Sequence, residues 1–129
     1  MKTEFDPSFD PPAPIGTVLI RNRTTGERSD EIKMLLDTGA DVSLLPEDRI
    51  PAPVLDSARF GTVRLTAFDG SSRSYRSIEL QIVFQGKRFT GEFCLIDDDI
   101  GVLGRDVLNQ VSILLDGPNL VWDVIESNN

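Results

Sequence analysis

The sequence predicts an all-β, barrel-like domain, and three observations indicate this fold class. Short segments with alternating apolar residues recur along the chain, most clearly in Ile78–Phe84. Turn-forming residues separate these segments, for example at Asp69–Ser72 and at Asp116–Asn119. One segment, Arg105–Gln110, has the composition of a short helix. Since 129 residues are enough to bury a core, we expect a single folded domain.

The predicted elements follow one another in a simple order. Residues 1–14 hold four prolines and are expected to form an extended or disordered N-terminal arm. The folded domain is expected at residues 15–125, and residues 126–129 are expected to fray. Strands are predicted at Ile15–Arg21, Glu31–Leu36, Gly61–Phe68, Arg73–Phe84, Lys87–Ile96, Val111–Leu115 and Leu120–Ile125, with shorter apolar runs at Val42–Leu45 and Ile100–Leu103.

Polar segments between these strands predict turns of different kinds. Asp69–Ser72 lies between two predicted strands and indicates a β-hairpin with a polar tip. Pro46–Asp48 favours one helical turn, which Pro51 and Pro53 are expected to end. The acidic run Asp97–Asp99 is expected to be a solvated turn, because the alternating ligands of a calcium loop do not surround it.

Composition argues against several classes of partner. The net charge of −8 at pH 7 disfavours nucleic acid, which requires a basic face. Arg21, Arg23 and Arg28 form only a loose cluster, which we interpret as a solvated hairpin end. No apolar run approaches the roughly 20 residues that span a bilayer, so no membrane partner is expected. A single cysteine and an N-terminus without the apolar core of a signal peptide favour a cytoplasmic location.

The chain contains no histidine, and this absence restricts its chemistry. Serine and cysteine nucleophiles that rely on a histidine base are excluded, and so is a zinc site built on histidine. We expect no metal and no cofactor. If the protein is an enzyme, aspartate and glutamate side chains must act as its acid and base.

One stretch places a carboxylate where such chemistry is possible. The alternating residues of Ile32–Leu36 predict a strand that ends at Asp37, and Thr38 and Gly39 follow at once. Gly39 allows the backbone to turn sharply or another group to approach closely. A lone Asp-Thr-Gly tripeptide is a weak signal, because it also occurs by chance.

A second motif lies downstream at a suitable distance. The segment Val102–Asp106 holds two apolar residues, a glycine and the start of the predicted helix. Together with Asp37–Asp41 and the hairpin at Phe68–Tyr75, it resembles the ordered motifs of the retropepsins, the retroviral-type aspartic proteases, and especially their small stand-alone cellular relatives. The resemblance covers about residues 15–125, nearly the whole chain.

The resemblance implies a closed retropepsin-like barrel with a flap hairpin, and an aspartic endopeptidase that cleaves peptide or protein substrates. Such proteolysis needs two close carboxylates that share one proton and hold a water. Because the chain has one Asp-Thr-Gly, the second carboxylate would be Asp37 of another copy in a homodimer. The alternating side chains of Leu120, Trp122 and Val124 are expected to bury one face in that dimer interface.

The resemblance also implies roles for individual residues of the loop. Asp37 would be the catalytic acid and base, and Thr38 would form a hydrogen bond across the two-fold axis. Gly39 would let the substrate backbone approach, while Ala40 and Asp41 complete the active-site loop.

Residues outside the loop receive roles in the same way. The hairpin tip would form a flap over the substrate, with the residues Phe68, Asp69, Gly70, Ser71 and Ser72. Val102 and Leu103 would line a pocket beside the catalytic pair, with plain core packing as an equal alternative. Asp41 and Arg105 would form an ion pair beneath the substrate groove, since the planar guanidinium binds a carboxylate through two hydrogen bonds.

Two other functions stay open on the sequence. A non-catalytic relative would use the same dimer fold as a binding or assembly module. An unrelated acidic β-barrel would use Asp37 only to cap a turn. The intact Asp-Thr-Gly favours the protease, since a module without chemistry has no need of two facing aspartates.

Overall fold

The computed structural model describes residues 2–126, and most of its regular structure consists of strands. The strands are β1 (Thr3–Glu4), β2 (Ile15–Arg21), β3 (Ile32–Leu36), β4 (Leu44–Pro46), β5 (Arg59–Thr66), β6 (Ser72–Phe84), β7 (Lys87–Ile96), β8 (Gly101–Leu103), β9 (Ile113–Asp116) and β10 (Val121–Val124). The predicted all-β class is confirmed, and each strand predicted from the sequence is present with ends shifted by at most two residues.

Among the described residues, helical structure is confined to three short pieces. They are a 3-10 helix at Glu47–Arg49, α1 (Ala52–Ser57) and α2 (Arg105–Leu108), which lies within the predicted helix. The 3-10 helix matches the predicted helical turn and ends before Pro51 as expected, whereas α1 was not predicted, because Pro51 and Pro53 were expected only to end a helix. Pro51 precedes α1 and Pro53 lies in its first turn, where the missing N–H costs no helical hydrogen bond. None of these helices is long and apolar enough to cross a membrane.

A seven-stranded sheet of order β2-β3-β8-β4-β7-β6-β5 forms the body of the protein. β6 also pairs with β2, so β2, β3, β8, β4, β7 and β6 form a ring of six paired strands. β5 lies outside this ring. Burial of one large apolar side chain contributes roughly 1.5–3 kcal/mol, which makes the interior of this ring the main source of stability. Its core residues that are less than 2% exposed include Val18, Ile20, Met34, Leu45, Ile78, Ile82, Phe84, Leu103 and Trp122.

β8 lies in the middle of this sheet and determines where two loops meet. It runs parallel to β3 and antiparallel to β4, with both Leu35 and Leu44 paired to Val102. Gly101 permits this packing, because a Cβ there would come within 2.4 Å of both the Met34 sulfur and the Leu44 carbonyl oxygen. No side chain fits at that distance. The C-terminal ends of β3 and β8 therefore lie side by side.

β5 and β6 form the predicted hairpin, with Arg59 opposite Glu79 at its base. β7 pairs with β6 only from Ser77 onward, so the rest of the hairpin extends from the sheet as a two-stranded ribbon. The tip turns at Gly70, whose φ of +87° lies in the left-handed region that favours glycine.

The two ends of the described chain meet in a second sheet, of order β1-β10-β9. Thr3 lies opposite Trp122, and the Phe5 amide donates to the Leu120 carbonyl over 2.8 Å. Thr3–Glu4 of the expected N-terminal arm is thus an extended strand that pairs with β10. Residues 127–129, which are expected to fray, lie outside the described residues.

Trp122 belongs to the core of its own chain, so its expected place in a dimer interface is wrong. It is 1% exposed, its ring stacks on Phe84 with 6.2 Å between centroids, and its Nε1 donates to the Ile15 carbonyl over 3.2 Å. The expected alternation also fails at Leu120, which precedes β10 with a φ of +54°. Val124 packs partly buried against the same core.

Trp122→Ala is expected to lower the free energy of unfolding by about 3–5 kcal/mol, because it removes a large buried ring. Urea unfolding followed by circular dichroism measures the change. Phe68→Ala is the matched control, since Phe68 is fully exposed (108%) and its truncation should change stability by less than about 0.5 kcal/mol. A Trp122→Ala protein with the unfolding midpoint of the parent contradicts the assignment of Trp122 to the core.

Candidate active site

Asp37 lies directly after β3, at the start of the loop that leads to β4. Its amide donates to the Leu103 carbonyl over 3.0 Å, which ties the end of β3 to the end of β8. Its Oδ1 accepts a hydrogen bond of 2.8 Å from the Gly39 amide, and its carbonyl accepts one of 3.2 Å from the Ala40 amide. Oδ2 has no hydrogen-bond partner among residues 2–126. The carboxylate is half-buried, oriented by its own loop, and open on one side.

Arg105 holds this loop from the start of α2. Its amide donates to the Ala40 carbonyl over 2.9 Å, and its Nη1 donates to the Thr38 carbonyl over 2.6 Å. Its Nη2 contacts the Asp41 carboxylate, so the expected pair forms, but through one nitrogen and not through two parallel hydrogen bonds, because Nη1 is bound to Thr38. The side chains of Asp41 and Arg105 are 72% and 41% exposed, and an ion pair this exposed adds at most about 1 kcal/mol. Its main effect is geometric, because one guanidinium bridges Thr38 and Asp41.

A buried serine and a carboxylate fasten the far end of the loop. The Ser43 hydroxyl donates to Asp106 Oδ1 over 2.7 Å and accepts from the Gly104 amide over 3.0 Å. The Ser43 amide donates to Asp106 Oδ2 over 2.9 Å, and the Val107 amide donates to Asp106 Oδ1 over 3.0 Å. Sequence reasoning missed this contact. In the sequence, the only indication of this contact is a serine within the apolar run 42–45. The structure shows that this serine is fully buried.

Val102 and Leu103 occupy different environments. Leu103 is completely buried in the core, and its carbonyl receives the Asp37 amide. Val102 is half-buried in the centre of the sheet. Neither residue lines the cleft beside the loop in the single chain, so core packing describes Leu103 better than a pocket wall does.

A cleft of about 400 Å³ lies between the loop after Asp37 and the end of β5. The residues that line it are Gly39, Ala40, Asp41, Val42, Leu44, Leu65, Thr66, Ala67 and Phe68. The structure therefore brings the loop residues after Thr38 and the end of the hairpin up to Phe68 to one cleft, which Asp37 itself does not line. Within the described part of the chain, no group of acidic or cysteine side chains is placed to hold a metal ion.

The hairpin tip is held in shape by its own side chains. The Ser71 hydroxyl and amide both donate to Asp69 Oδ1, over 2.6 and 2.9 Å, and these bonds lower the pKa of Asp69. The carboxylate therefore stays ionised to a lower pH than a free aspartate. Phe68 points into solvent, Gly70 supplies the turn, and Ser72 begins the returning strand.

Comparisons with known proteins agree with this geometry. A family model described as retroviral aspartyl protease matches residues 11–116. Among solved structures, EIAV protease in complex with the inhibitor HBY-793 matches with a TM-score of 0.56 and 25% sequence identity. That match covers 76% of this chain and 86% of the EIAV protease chain. A search of curated protein sequences finds no match.

Asp106→Ala is expected to lower the free energy of unfolding by about 1–3 kcal/mol, because the buried Ser43 hydroxyl loses its acceptor. Urea unfolding measures the loss. Asp97→Ala is the control, since it removes the same charge from an exposed turn and should change stability by less than about 0.5 kcal/mol. Equal unfolding midpoints for the two variants contradict a fastening role of Asp106.

Proposed function

The chain belongs to the retroviral aspartyl protease family, and we propose that it is an aspartic endopeptidase that acts as a homodimer. The observation that carries this proposal is the position of Asp37, at the end of a central strand and the start of an anchored loop. Its Oδ1 is engaged by the Gly39 amide, whereas Oδ2 is open. A carboxylate held in this way is oriented by the protein and still available to a water and a second carboxylate.

Peptide hydrolysis by this chemistry uses two carboxylates with one proton between them. Like charges so close cannot both be ionised, so one group stays protonated. The ionised group takes a proton from a bound water, whose oxygen attacks the peptide carbonyl carbon, while the protonated group donates to the carbonyl oxygen. Collapse of this intermediate breaks the C–N bond and moves a proton to the leaving nitrogen.

The second carboxylate of this pair is Asp37 of another copy, since the chain has one Asp-Thr-Gly. A two-fold axis beside the loop brings the two groups together. Thr38 supports this arrangement, because it is exposed and its hydroxyl has no hydrogen-bond partner within residues 2–126. In the proposed dimer the hydroxyl bonds to the partner loop.

The terminal sheet is the proposed dimer contact. Its exposed apolar side chains, and not Trp122, are proposed to lie in the interface. Both of its outer strands, β1 and β9, also have an unpaired edge in the described chain. A group of large exposed apolar side chains is typical of an interface, whereas single ones are common on any surface. Large apolar side chains that are 46–54% exposed occur on both faces of β9 and at the two ends of β10, namely Leu114, Leu115, Leu120 and Ile125.

The hairpin acts as a flap in the proposed reaction, closing over an extended peptide and excluding water. Two observations support this role. The ribbon is not paired with β7 between Ser72 and Arg76, which allows it to bend, and its residues 65–68 line the same cleft as Gly39–Val42. The hydrogen bonds from Ser71 to Asp69 stabilise the turn at the tip, and the proposed bending lies at the base of the ribbon.

The proposed partners are therefore a second copy of the chain and a peptide or protein substrate. Nucleic acid is not proposed, because the net charge is −8. A cytoplasmic location is proposed on the lone cysteine, Cys94, which is buried and free.

Asp37→Asn is expected to reduce cleavage of an unfolded protein at acidic pH by about a hundredfold or more, because an amide cannot exchange the proton. Product formation followed by mass spectrometry measures the rate. Asp97→Asn, in an exposed turn, should cleave as fast as the parent. If the parent protein is dimeric but inactive, the result supports a non-catalytic binding module instead. If the Asp37→Asn variant is active, the result contradicts a catalytic role of the two Asp37 carboxylates.

Specific activity is expected to fall on dilution, because each chain supplies half of the site. Well below the dissociation constant of the dimer, activity per chain should decrease in proportion to concentration. Analytical ultracentrifugation at the same concentrations gives the dimer fraction to which the activity is compared. Constant specific activity in a sample shown to be monomeric rules out a site shared between two chains.

A further inference from the structure

Three arginines lie around a second cleft, at the opposite end of β2 and β3 from Asp37. Arg21 ends β2, Arg23 follows in the next loop, and Arg59 begins β5. All three line one cleft of about 250 Å³. Since β2 and β3 are antiparallel, this end of β2 lies away from the end of β3 that leads to Asp37.

The cleft carries an excess of positive charge. Glu79 is the one carboxylate among the described residues that line it, and it lies 3.9 Å from Arg23 in a loose, half-exposed pair. Arg21 is held by a neutral partner, because its Nη1 donates to Gln81 Oε1 over 2.9 Å. Arg59 has no ion pair or side-chain hydrogen bond within residues 2–126. Three positive charges against one negative charge leave an excess of two in a chain whose net charge is −8.

We propose that this cleft binds an acidic segment of a partner protein through neighbouring carboxylate side chains. Guanidinium groups bind carboxylates through parallel hydrogen bonds, and the contact to Gln81 restricts the Arg21 side chain that lines the cleft. The excess of two charges matches two carboxylates. Buried Val54 and Leu80 form part of the floor, which reduces solvent screening of the contact.

Two features favour a chain segment over a small free anion. The cleft volume of about 250 Å³ is several times the roughly 30 Å³ that one water occupies in the liquid. β5 begins at this cleft, and its outer edge is unpaired in the described sheet, so an extended segment can add its backbone hydrogen bonds there. The site shares no residue with the cleft beside Asp37, so the proposal does not depend on the protease function.

A fluorescent ten-residue peptide of alternating Asp and Ser tests the proposal, with binding followed by anisotropy at low ionic strength. The double variant Arg23→Gln/Arg59→Gln is expected to weaken binding by at least about tenfold, the scale of one lost charged hydrogen bond. Glu79→Gln is expected to tighten binding about two- to fivefold, since it removes a competing carboxylate. Circular dichroism verifies that each variant is folded, as expected for exposed side chains.

The control is Lys87→Gln/Arg88→Gln, which removes two exposed positive charges from the start of β7 and should leave the affinity within about twofold. If both double variants weaken peptide binding equally, the effect is due to net charge alone, and the proposed binding site is overturned. The proposal is also overturned if an Asn-Ser peptide binds as tightly. If inorganic phosphate binds as tightly as the peptide, the ligand is a free anion and the proposed chain segment is overturned. If a phosphoserine peptide binds more than tenfold tighter, the proposed recognition of carboxylates is overturned.

Discussion

The position of β8 between β3 and β4 is the constraint on which the rest of the candidate site depends. Gly101 allows β8 to lie against Met34 and the backbone of Leu44, where any larger residue would collide. This packing brings Leu103 within hydrogen-bond distance of the Asp37 amide. The carboxylate of Asp37 is therefore positioned by backbone contacts in the centre of the sheet and not by its own loop alone.

The loop after Asp37 is held by two contacts that differ in their burial and therefore in their contribution to stability. Ser43 and Asp106 are bonded beneath the loop, where loss of one partner leaves a buried polar group unpaired. Arg105 contacts the loop at the surface, where water screens the charge and the ion pair adds little stability. The buried contact accordingly supports the fold, while the exposed guanidinium mainly sets the distance between Thr38 and Asp41.

Local patterns in the sequence determined the type of most elements and the place of Asp37. The alternation of apolar residues in Ile78–Phe84 predicted a strand, and in the structure Ile78, Leu80, Ile82 and Phe84 are buried while Glu79 between them is exposed. Gly70 predicted the hairpin turn because it alone in the tip adopts a positive φ. The position of Asp37 after β3 and of α2 after Gly104 followed from the same short-range rules, since each depends on neighbours in the chain.

Only the tertiary structure decided which faces of distant segments meet. The period of two in β10 does not reveal whether Trp122 faces its own core or a partner, and packing on Phe84 decides for the core. Ser43 and Asp106 are 63 positions apart, and the sequence around each residue does not indicate that the other is its partner. Arg59 likewise joins Arg21 and Arg23 only through the fold. The sequence determines local conformation through short-range sterics, whereas burial and hydrogen-bond geometry between remote segments arise when the chain packs.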